Sequence, residues 1–271
     1  MQCPDQIKPI KDYKELKNYD IGKELPVAKT KRPRKRGPKF SVTRKDGKIS
    51  LEKVTQPCSK TLVCHDMKGG YLEDKYNNGC QNLSEEPYTF IHWSLIDTFV
   101  YFSHHFITIP PLGWIEAAHK NGVKILGTII TEFDPGSKIC NEILASRDNV
   151  DLLVSKCVEI AKYVGFDGWL LNIENPIDKT LMDNLFYLVK ELTIKMHEAV
   201  ENAEVIWYDS VTIHGDLKWQ NCLNDLNEAF FDLCDGIFLN YTWNEEGLAS
   251  SVLQNPGNIF ECMRVISYFL A

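Results

Sequence analysis

From about residue 60 onward, short apolar runs alternate with longer stretches in which apolar residues recur every three or four positions. The short runs are rich in β-branched and aromatic residues, which is typical of buried strands. The longer stretches have the period of helices that cover one side of a sheet. This alternation predicts repeated βα units and a parallel sheet. The predicted strands are residues 61–65, 96–103, 123–131, 166–174, 205–210 and 237–241.

Three helices are predicted between these strands, at residues 112–121, 150–164 and 180–200. Gly122 and Gly165 follow the first two, and glycine at that position accepts the left-handed conformation that ends many helices. A complete eight-stranded βα barrel takes about 250 residues, whereas this chain ends near where a seventh strand would fall. We therefore predict an α/β fold of the (β/α)8 TIM-barrel type that is incomplete, with about six βα units.

The N-terminal part contains a strongly basic run, KTKRPRKRGPK at 29–39, with seven basic residues and no acidic ones. It contains two prolines and a glycine and has no apolar period, so it does not predict the folded basic face that nucleic-acid recognition needs. A disordered tether is favoured for this run, and a nuclear-localisation-like or phosphate-binding patch is the alternative. We predict a flexible, partly disordered extension over 1–58, with short strands near 40–42 and 48–51, followed by a barrel domain over 59–271.

Composition narrows the class of protein further. The net charge is −7, and without the basic run the remainder carries −14, so the body is acidic. No apolar run approaches the roughly 18 residues of a membrane span, and the N-terminus has no apolar core of a signal peptide. We expect a soluble, cytosolic protein that binds neither membranes nor nucleic acid. Nine cysteines without CxxC pairs predict reduced, mostly buried thiols and not a disulfide framework or a zinc site.

The segment GFDGWLLNIENP at 165–176 carries the candidate chemistry. In an extended strand, alternate side chains share a face, so Leu170, Asn172 and Glu174 point the same way. The opposite set is wholly apolar and is expected against the helices. A carboxylate and an amide two residues apart therefore lie at the carboxyl end of a parallel strand, where barrel enzymes place their chemistry.

A single enclosed carboxylate with a neighbouring amide fits glycosidic cleavage. Burial raises the pKa of a glutamate toward neutrality, which suits a general acid that protonates a leaving oxygen. Most glycosidases need a second carboxylate, but in substrate-assisted enzymes the 2-acetamido carbonyl of the sugar attacks its own anomeric carbon. Asn172, roughly 7 Å from Glu174 along the strand, would orient that acetamido group. The alternative is that the two residues only cap a strand end.

Several motifs follow one another in order along the chain: HDMKGGY at 65–71, DTFVYFSHHFITIPPLGWIEAAHKNGVKILGTIITE at 97–132, DGWLLNIEN at 167–175, WYDSVT at 207–212, LKWQ at 217–220 and NYTW at 240–243. Together they resemble the cytosolic endo-β-N-acetylglucosaminidases, glycoside hydrolase family 85, from about residue 61 to 248. The resemblance implies a (β/α)-barrel enzyme that cuts the β-1,4 bond of the N,N′-diacetylchitobiose core of N-glycans. It implies retention through an oxazoline intermediate, one N-acetylglucosamine left on the protein or peptide, and no metal or organic cofactor.

Position by position, the resemblance implies that Glu174 is the general acid/base, Asn172 the amide that activates the acetamido group, and Tyr208 a tyrosine beside the reacting sugar. Sugar contacts are expected near the other strand ends, partly because the C–H faces of sugars stack on aromatic rings. The candidates are Trp243, Trp93, Phe133, Trp207, Asn240, His65 and Asp66. Packing is the alternative for each aromatic candidate. For His104 and His105 we favour hydrogen-bonding or structural roles over metal binding.

The resemblance fades beyond residue 248. The regions for strands seven and eight, and the β-rich domains expected after the barrel, have no counterpart, so the chain resembles a truncated version. Two functional classes stay open at this point. The chain is either a working endoglycosidase acting on N-glycans, glycopeptides and free oligosaccharides, or an inactive fragment that binds glycan weakly at most.

Overall fold

A computed structural model describes the protein at residues 6–28, 40–45, 48–53, 61–66, 68–76, 89–240, 242 and 244–254. The basic run at 29–39 lies outside these ranges. The helices are α1 (Tyr13–Asn18), α2 (Ile21–Glu24), α3 (Leu112–Lys120), α4 (Phe133–Leu144), α5 (Arg147–Val164), α6 (Met182–Ala199), α7 (Glu228–Phe231) and α8 (Glu245–Gln254). The strands are β1 (Phe40–Lys45), β2 (Lys48–Lys53), β3 (Leu62–His65), β4 (Thr98–Tyr101), β5 (Ile107–Thr108), β6 (Lys124–Glu132), β7 (Gly168–Glu174), β8 (Glu204–Tyr208) and β9 (Gly236–Phe238).

Six parallel strands form the main sheet in the order β3-β4-β6-β7-β8-β9, and the short β5 pairs with β6 in the antiparallel direction. Each of these six strands falls at one of the positions that the sequence pattern predicts. Strands that neighbour each other in the sheet follow each other along the chain, apart from β5, as they do in a βα barrel. The predicted fold, an incomplete barrel with six parallel strands, is therefore confirmed.

Alternate residues of the strands enter two separate apolar layers. One layer packs against the helices and contains the largest buried side chains of the sheet, among them Trp169 and Trp207. The other lines the inside of the curved sheet. It consists of Leu62, Val100, Leu126, Leu170, Ile206, Tyr208 and Phe238. The inner positions of β3, β4, β6, β7, β8 and β9 are thus the even-numbered ones, which fixes the side of the sheet on which every polar residue at the strand ends lies.

The ends of the long helix α5 follow from its sequence. The Ser146 hydroxyl accepts a hydrogen bond from the Asn149 backbone N–H at 3.2 Å and so caps the N-terminus. Gly165 ends the helix with a φ of 99°, a left-handed conformation that favours glycine. The predicted helix ends at Gly122 and Gly165 are confirmed, and the chain then enters β6 and β7 respectively.

The predicted flexible extension is wrong for residues 6–28, which pack onto the barrel. Four apolar side chains of this segment are fully buried in the main core: Ile7, Ile10, Tyr13 and Leu16. The backbone of Ile10 exchanges two hydrogen bonds of 3.0 Å with Ile107 in β5. The Tyr13 hydroxyl donates to the carbonyl of Asn149 at 2.8 Å. A domain boundary at residue 58 stays a prediction, whereas the predicted strands near 40–42 and 48–51 are present as the β1–β2 hairpin.

Of the helices in the described ranges, none combines the length and the apolar character needed to cross a membrane.

Candidate active site

Polar side chains occupy the inner positions where the parallel strands end. Asn172 and Glu174 are the last two inner residues of β7, and Tyr208 is the last residue of β8. Glu174 lies next to Glu132 of β6 in the strand register. Because the carboxyl ends of parallel strands share one edge of the sheet, these residues form one cluster. The structure thus brings together the three residues predicted to do the chemistry.

Asn172 is enclosed, with only 3% of its surface exposed. Its Nδ2 atom is buried and has no hydrogen-bond partner among the described residues. A buried donor left without a partner costs about 1–3 kcal/mol, and such orphaned groups in a folded protein call for an explanation. An acceptor on a bound molecule would satisfy this amide, so Asn172 has the character of a ligand-binding residue.

The pKa of Glu174 is raised above its ordinary value. Burial is the largest cause, and the negative charge of Glu132 adds to it. Hydrogen bonds with Tyr208 and Trp219 and the charge of His104 act in the opposite direction without cancelling the rise. A carboxyl group that keeps its proton to higher pH is suited to act as a general acid.

Tyr208 connects the Glu174 carboxyl group to Asn240, which follows β9. Its hydroxyl donates to Asn240 Oδ1 at 3.1 Å, and it also hydrogen-bonds Glu174. A phenol has one proton, so Tyr208 cannot donate to both partners at once. When Glu174 is protonated, Tyr208 accepts a hydrogen bond from Glu174 and donates its own proton to Asn240. Asn240 Nδ2 in turn donates to Asn221 Oδ1 at 2.9 Å. The predicted sugar-contact residue Asn240 is therefore also a partner that orients Tyr208.

Trp219 reaches Glu174 from the loop that follows β8. This loop is held by buried Asp209, whose Oδ2 accepts from the backbone N–H groups of Gln220 at 2.9 Å and Asn221 at 2.6 Å. Trp219 hydrogen-bonds Glu174 and keeps 41% of its surface exposed, so part of the ring is open to a ligand. The LKWQ motif alone predicts no role for Trp219, since the loop contacts of Asp209 leave no periodic signal in the sequence.

A histidine and two further carboxylates extend the cluster to the ends of β3, β4 and β6. His104 Nδ1 lies 3.1 Å from both carboxylate oxygens of Glu132, and His104 Nε2 lies 3.5 Å from Asp66 Oδ2. The predicted candidate Asp66 thus belongs to the site, and Glu132 is a site residue that was not predicted. The signal that could have found Glu132 is the alternation of side chains along a strand. Applied to β6 as to β7, this alternation places Glu132 on the inner face at the end of the strand.

Three predicted sugar-contact residues are not in the site, and those predictions are wrong. Trp93 precedes β4 and is buried, with its ring 5.2 Å from that of Phe99. Trp207 is at an outward position and stacks on Phe230 at 4.2 Å. His65 is also outward and buried, with its ring 5.0 Å from that of Trp114, and burial lowers the pKa of His65 to about 4.

Phe133 has the exposure that a sugar platform needs. It follows Glu132 directly, 78% of its surface is exposed, and its φ is 54°. A bulky residue in the left-handed region costs about 1–3 kcal/mol, and such strain clusters at functional sites. The remaining platform candidate, Trp243, lies outside the described residues.

Within the described ranges, no group of three or more His, Cys, Asp or Glu side chains is placed to hold a metal ion. The expectation that the protein uses no metal or cofactor stays a prediction. Five cysteines of this part of the chain are free thiols: Cys64, Cys140, Cys157, Cys222 and Cys234.

Comparison with known proteins identifies sequence relatives. The model of Glycosyl hydrolase family 85 matches residues 71–260. Cytosolic endo-beta-N-acetylglucosaminidase 2 of Arabidopsis thaliana is 52% identical over 186 residues, which are 69% of this chain and 26% of that protein. The cytosolic endo-beta-N-acetylglucosaminidase of Gallus gallus is 50% identical over 190 residues, 70% of this chain and 26% of that protein. The chain spans about a quarter of the length of these curated relatives.

A solved structure also resembles this one. The glycoside hydrolase domain of Endo-D from Streptococcus pneumoniae R6 superposes with a TM-score of 0.65 and 20% sequence identity. The match covers 93% of this chain and 40% of that domain's chain. This likeness supports the fold, an incomplete barrel of the predicted type.

Proposed function

Because this chain belongs to glycosyl hydrolase family 85, we propose that it is an endoglycosidase that hydrolyses the β-1,4 bond of the N,N′-diacetylchitobiose core of N-glycans. One N-acetylglucosamine stays on the protein or peptide. The observation that carries the proposal is the pair at the end of β7: a buried amide donor that has no partner among the described residues and, two residues on, a carboxyl group with a raised pKa. The names of the relatives describe them as cytosolic, and the same location is proposed for this chain.

In the first step, the sugar supplies its own nucleophile. The Asn172 amide has both a donor and acceptor, so it holds the 2-acetamido group with its carbonyl oxygen turned toward the anomeric carbon. The bond from that oxygen to the anomeric carbon forms as the glycosidic bond breaks. Glu174 gives its proton to the leaving oxygen, which stays on the N-acetylglucosamine of the peptide. The product on the other side is a protonated oxazoline, whose ring nitrogen keeps the amide proton.

In the second step, water opens the oxazoline. The Glu174 carboxylate, now without its proton, takes one from the attacking water, so the residue returns to its starting state. Two successive inversions at the anomeric carbon give retention. Tyr208 keeps Glu174 in place during both steps, since its hydroxyl serves as donor to the carboxylate and as acceptor for the protonated form.

Sugar binding is proposed to involve the exposed ring of Phe133 and the open face of Trp219, because pyranose C–H faces stack on aromatic rings. Asn240 and Asp66 supply hydrogen bonds, and Trp243 keeps its predicted platform role. The proposed substrates are N-glycans on proteins and peptides and free oligosaccharides that contain the same core. No metal or organic cofactor takes part in either step.

The Asn172→Ala variant tests this mechanism. We expect hydrolysis of a natural glycopeptide to fall by about 100-fold or more, because the acetamido group is no longer oriented for attack. Hydrolysis of a preformed sugar oxazoline should fall far less, since that substrate has already passed the step that Asn172 assists. Both rates are measured by chromatography of the released glycan. The matched control is Asn141→Ala, at an exposed position of α4. Equal losses on the two substrates would mean that Asn172 only shapes the site.

A further inference from the structure

His104 connects two carboxylates that come from different strand ends. Its Nδ1 is 3.1 Å from both oxygens of Glu132, and its Nε2 is 3.5 Å from Asp66 Oδ2. A neutral imidazole has a single N–H group, so only the protonated ring can offer a hydrogen to a carboxylate on each side. This geometry favours the protonated ring, with one carboxylate on each side of it, at the edge of the candidate active site.

Glu132 carries the effect of this cation to Glu174. The two glutamates are neighbours in the register of β6 and β7, on the same face of the sheet. Like charges at such positions repel each other, and the site is partly buried, so solvent screens the repulsion weakly. A cation fixed on Glu132 offsets part of that negative charge and also decides where the carboxylate points.

We propose that His104 is a positioning residue, which holds the Glu132 carboxylate by its positive charge and so sets the electrostatic environment of Glu174. This inference rests on the proposed function, in which Glu174 is the proton donor. His104 acts on Glu174 by its charge and through the Glu132 carboxylate that it holds.

The direction in which the pKa of His104 is shifted agrees with the geometry. Burial alone lowers the pKa of His104, but the hydrogen bonds and charges of Glu132 and Asp66 outweigh burial, so that this pKa is raised. Among the described residues, Glu174 and the neighbouring His105 also interact with the charge of the ring, and burial is the chief cause that lowers the pKa of His105. The charge of His104 lowers the pKa of Glu174, and that of Glu132 raises it.

Two substitutions are therefore expected to move the pKa of Glu174 in opposite directions. His104→Gln removes the cation and leaves Glu132 charged, so the pKa of Glu174 rises by about one unit. Glu132→Gln removes the repulsion, so the pKa of Glu174 falls by about one unit. His105→Gln is the matched control on the adjacent residue, whose ring faces that of Tyr71, and it leaves the pKa of Glu174 unchanged.

The experiment is a carbon-13 NMR titration of the full chain labelled at the glutamate carboxyl carbon, with the Glu174 signal assigned by its loss in Glu174→Gln. Opposite shifts in the two variants support the inference. A Glu174 pKa that stays at the wild-type value, or falls, in His104→Gln overturns it. Where His104→Gln does not fold, His104→Arg replaces it: a permanent cation must keep the pKa of Glu174 at or below the wild-type value, and a rise overturns the inference.

This readout does not depend on turnover, so the two proposals fail separately. Opposite NMR shifts in a chain that cleaves no glycopeptide mean that the electrostatic role of His104 stands and the proposed function fails. Glycopeptide cleavage by the wild-type chain, with no shift of the Glu174 pKa in His104→Gln, means that the proposed function stands and the electrostatic role of His104 fails. Where the chain cleaves glycopeptide, the alkaline limb of its pH–rate profile moves to higher pH in His104→Gln and to lower pH in Glu132→Gln.

Discussion

The Glu174→Gln variant is expected to hydrolyse a natural glycopeptide at least about 100-fold more slowly than the wild-type chain. The glutamine amide has almost the same shape as the carboxyl group but cannot give a proton to the leaving oxygen. The measurement is the initial rate of glycan release from a high-mannose glycopeptide at equal concentrations of folded protein. Glu198→Gln, at an exposed position of α6, is the matched control and should keep the wild-type rate.

The stability of the same variant separates a chemical loss from unfolding. Because the folded-state pKa of Glu174 is raised, the folded chain holds this proton more tightly than the unfolded chain does. The wild-type chain therefore loses stability as the pH rises from the unfolded pKa through the folded pKa. Glu174→Gln escapes that loss, so its thermal unfolding midpoint at neutral pH should equal or exceed that of the wild type. Near-wild-type hydrolysis by this variant would contradict the role of Glu174.

Removing residues 1–28 is expected to leave a chain that aggregates or unfolds at a much lower temperature. The deletion takes away four fully buried side chains: Ile7, Ile10, Tyr13 and Leu16. Burying each contributes about 1.5–3 kcal/mol, and together they approach the whole net stability of a typical domain, about 5–15 kcal/mol. The deletion also removes the backbone pairing of Ile10 with Ile107, a residue only three positions after His104.

A point substitution tests the same contact more finely. Leu16→Ala should lower the free energy of unfolding by about 2–5 kcal/mol, since it opens a cavity in the core, and Lys14→Ala on the exposed side of α1 should lower it little. The comparison is made by chemical denaturation followed by circular dichroism. Equal unfolding free energies for the two variants, together with a soluble and stable deletion chain, would show that the N-terminal segment does not stabilise the barrel.

The parallel sheet was predictable because each strand leaves a local signal. A buried strand needs a run of apolar, β-branched residues, and a helix that covers the sheet needs an apolar stripe; both patterns stand in the sequence whatever the rest of the chain does. The strand at 166–174 is the clearest case, and its observed bounds are Gly168–Glu174. The N-terminal helices α1 and α2 are only six and four residues long, so they are too short to show a period, and their burial depends on a distant surface.

The same alternation that placed Asn172 and Glu174 also sorts most of the other site residues. Even-numbered strand-end positions face inward, which includes Glu132 and Asn240 and excludes His65 and Trp207. The chemistry of the His65 and Trp207 side chains suits a sugar site, but their odd-numbered positions place them on the outer face of the sheet. Trp219 differs, because the loop contacts made by Asp209 determine its place, and contacts of that kind appear only in the folded chain.

A mass-resolved assay of the purified 271-residue chain on a high-mannose glycopeptide tests the proposed activity itself. We expect two products: a peptide that keeps one N-acetylglucosamine, and a free glycan that ends in the other. A soluble, cooperatively folded chain that leaves the glycopeptide intact would contradict the proposed activity. Release of a peptide with both core sugars, or with neither, would contradict the proposed position of cleavage.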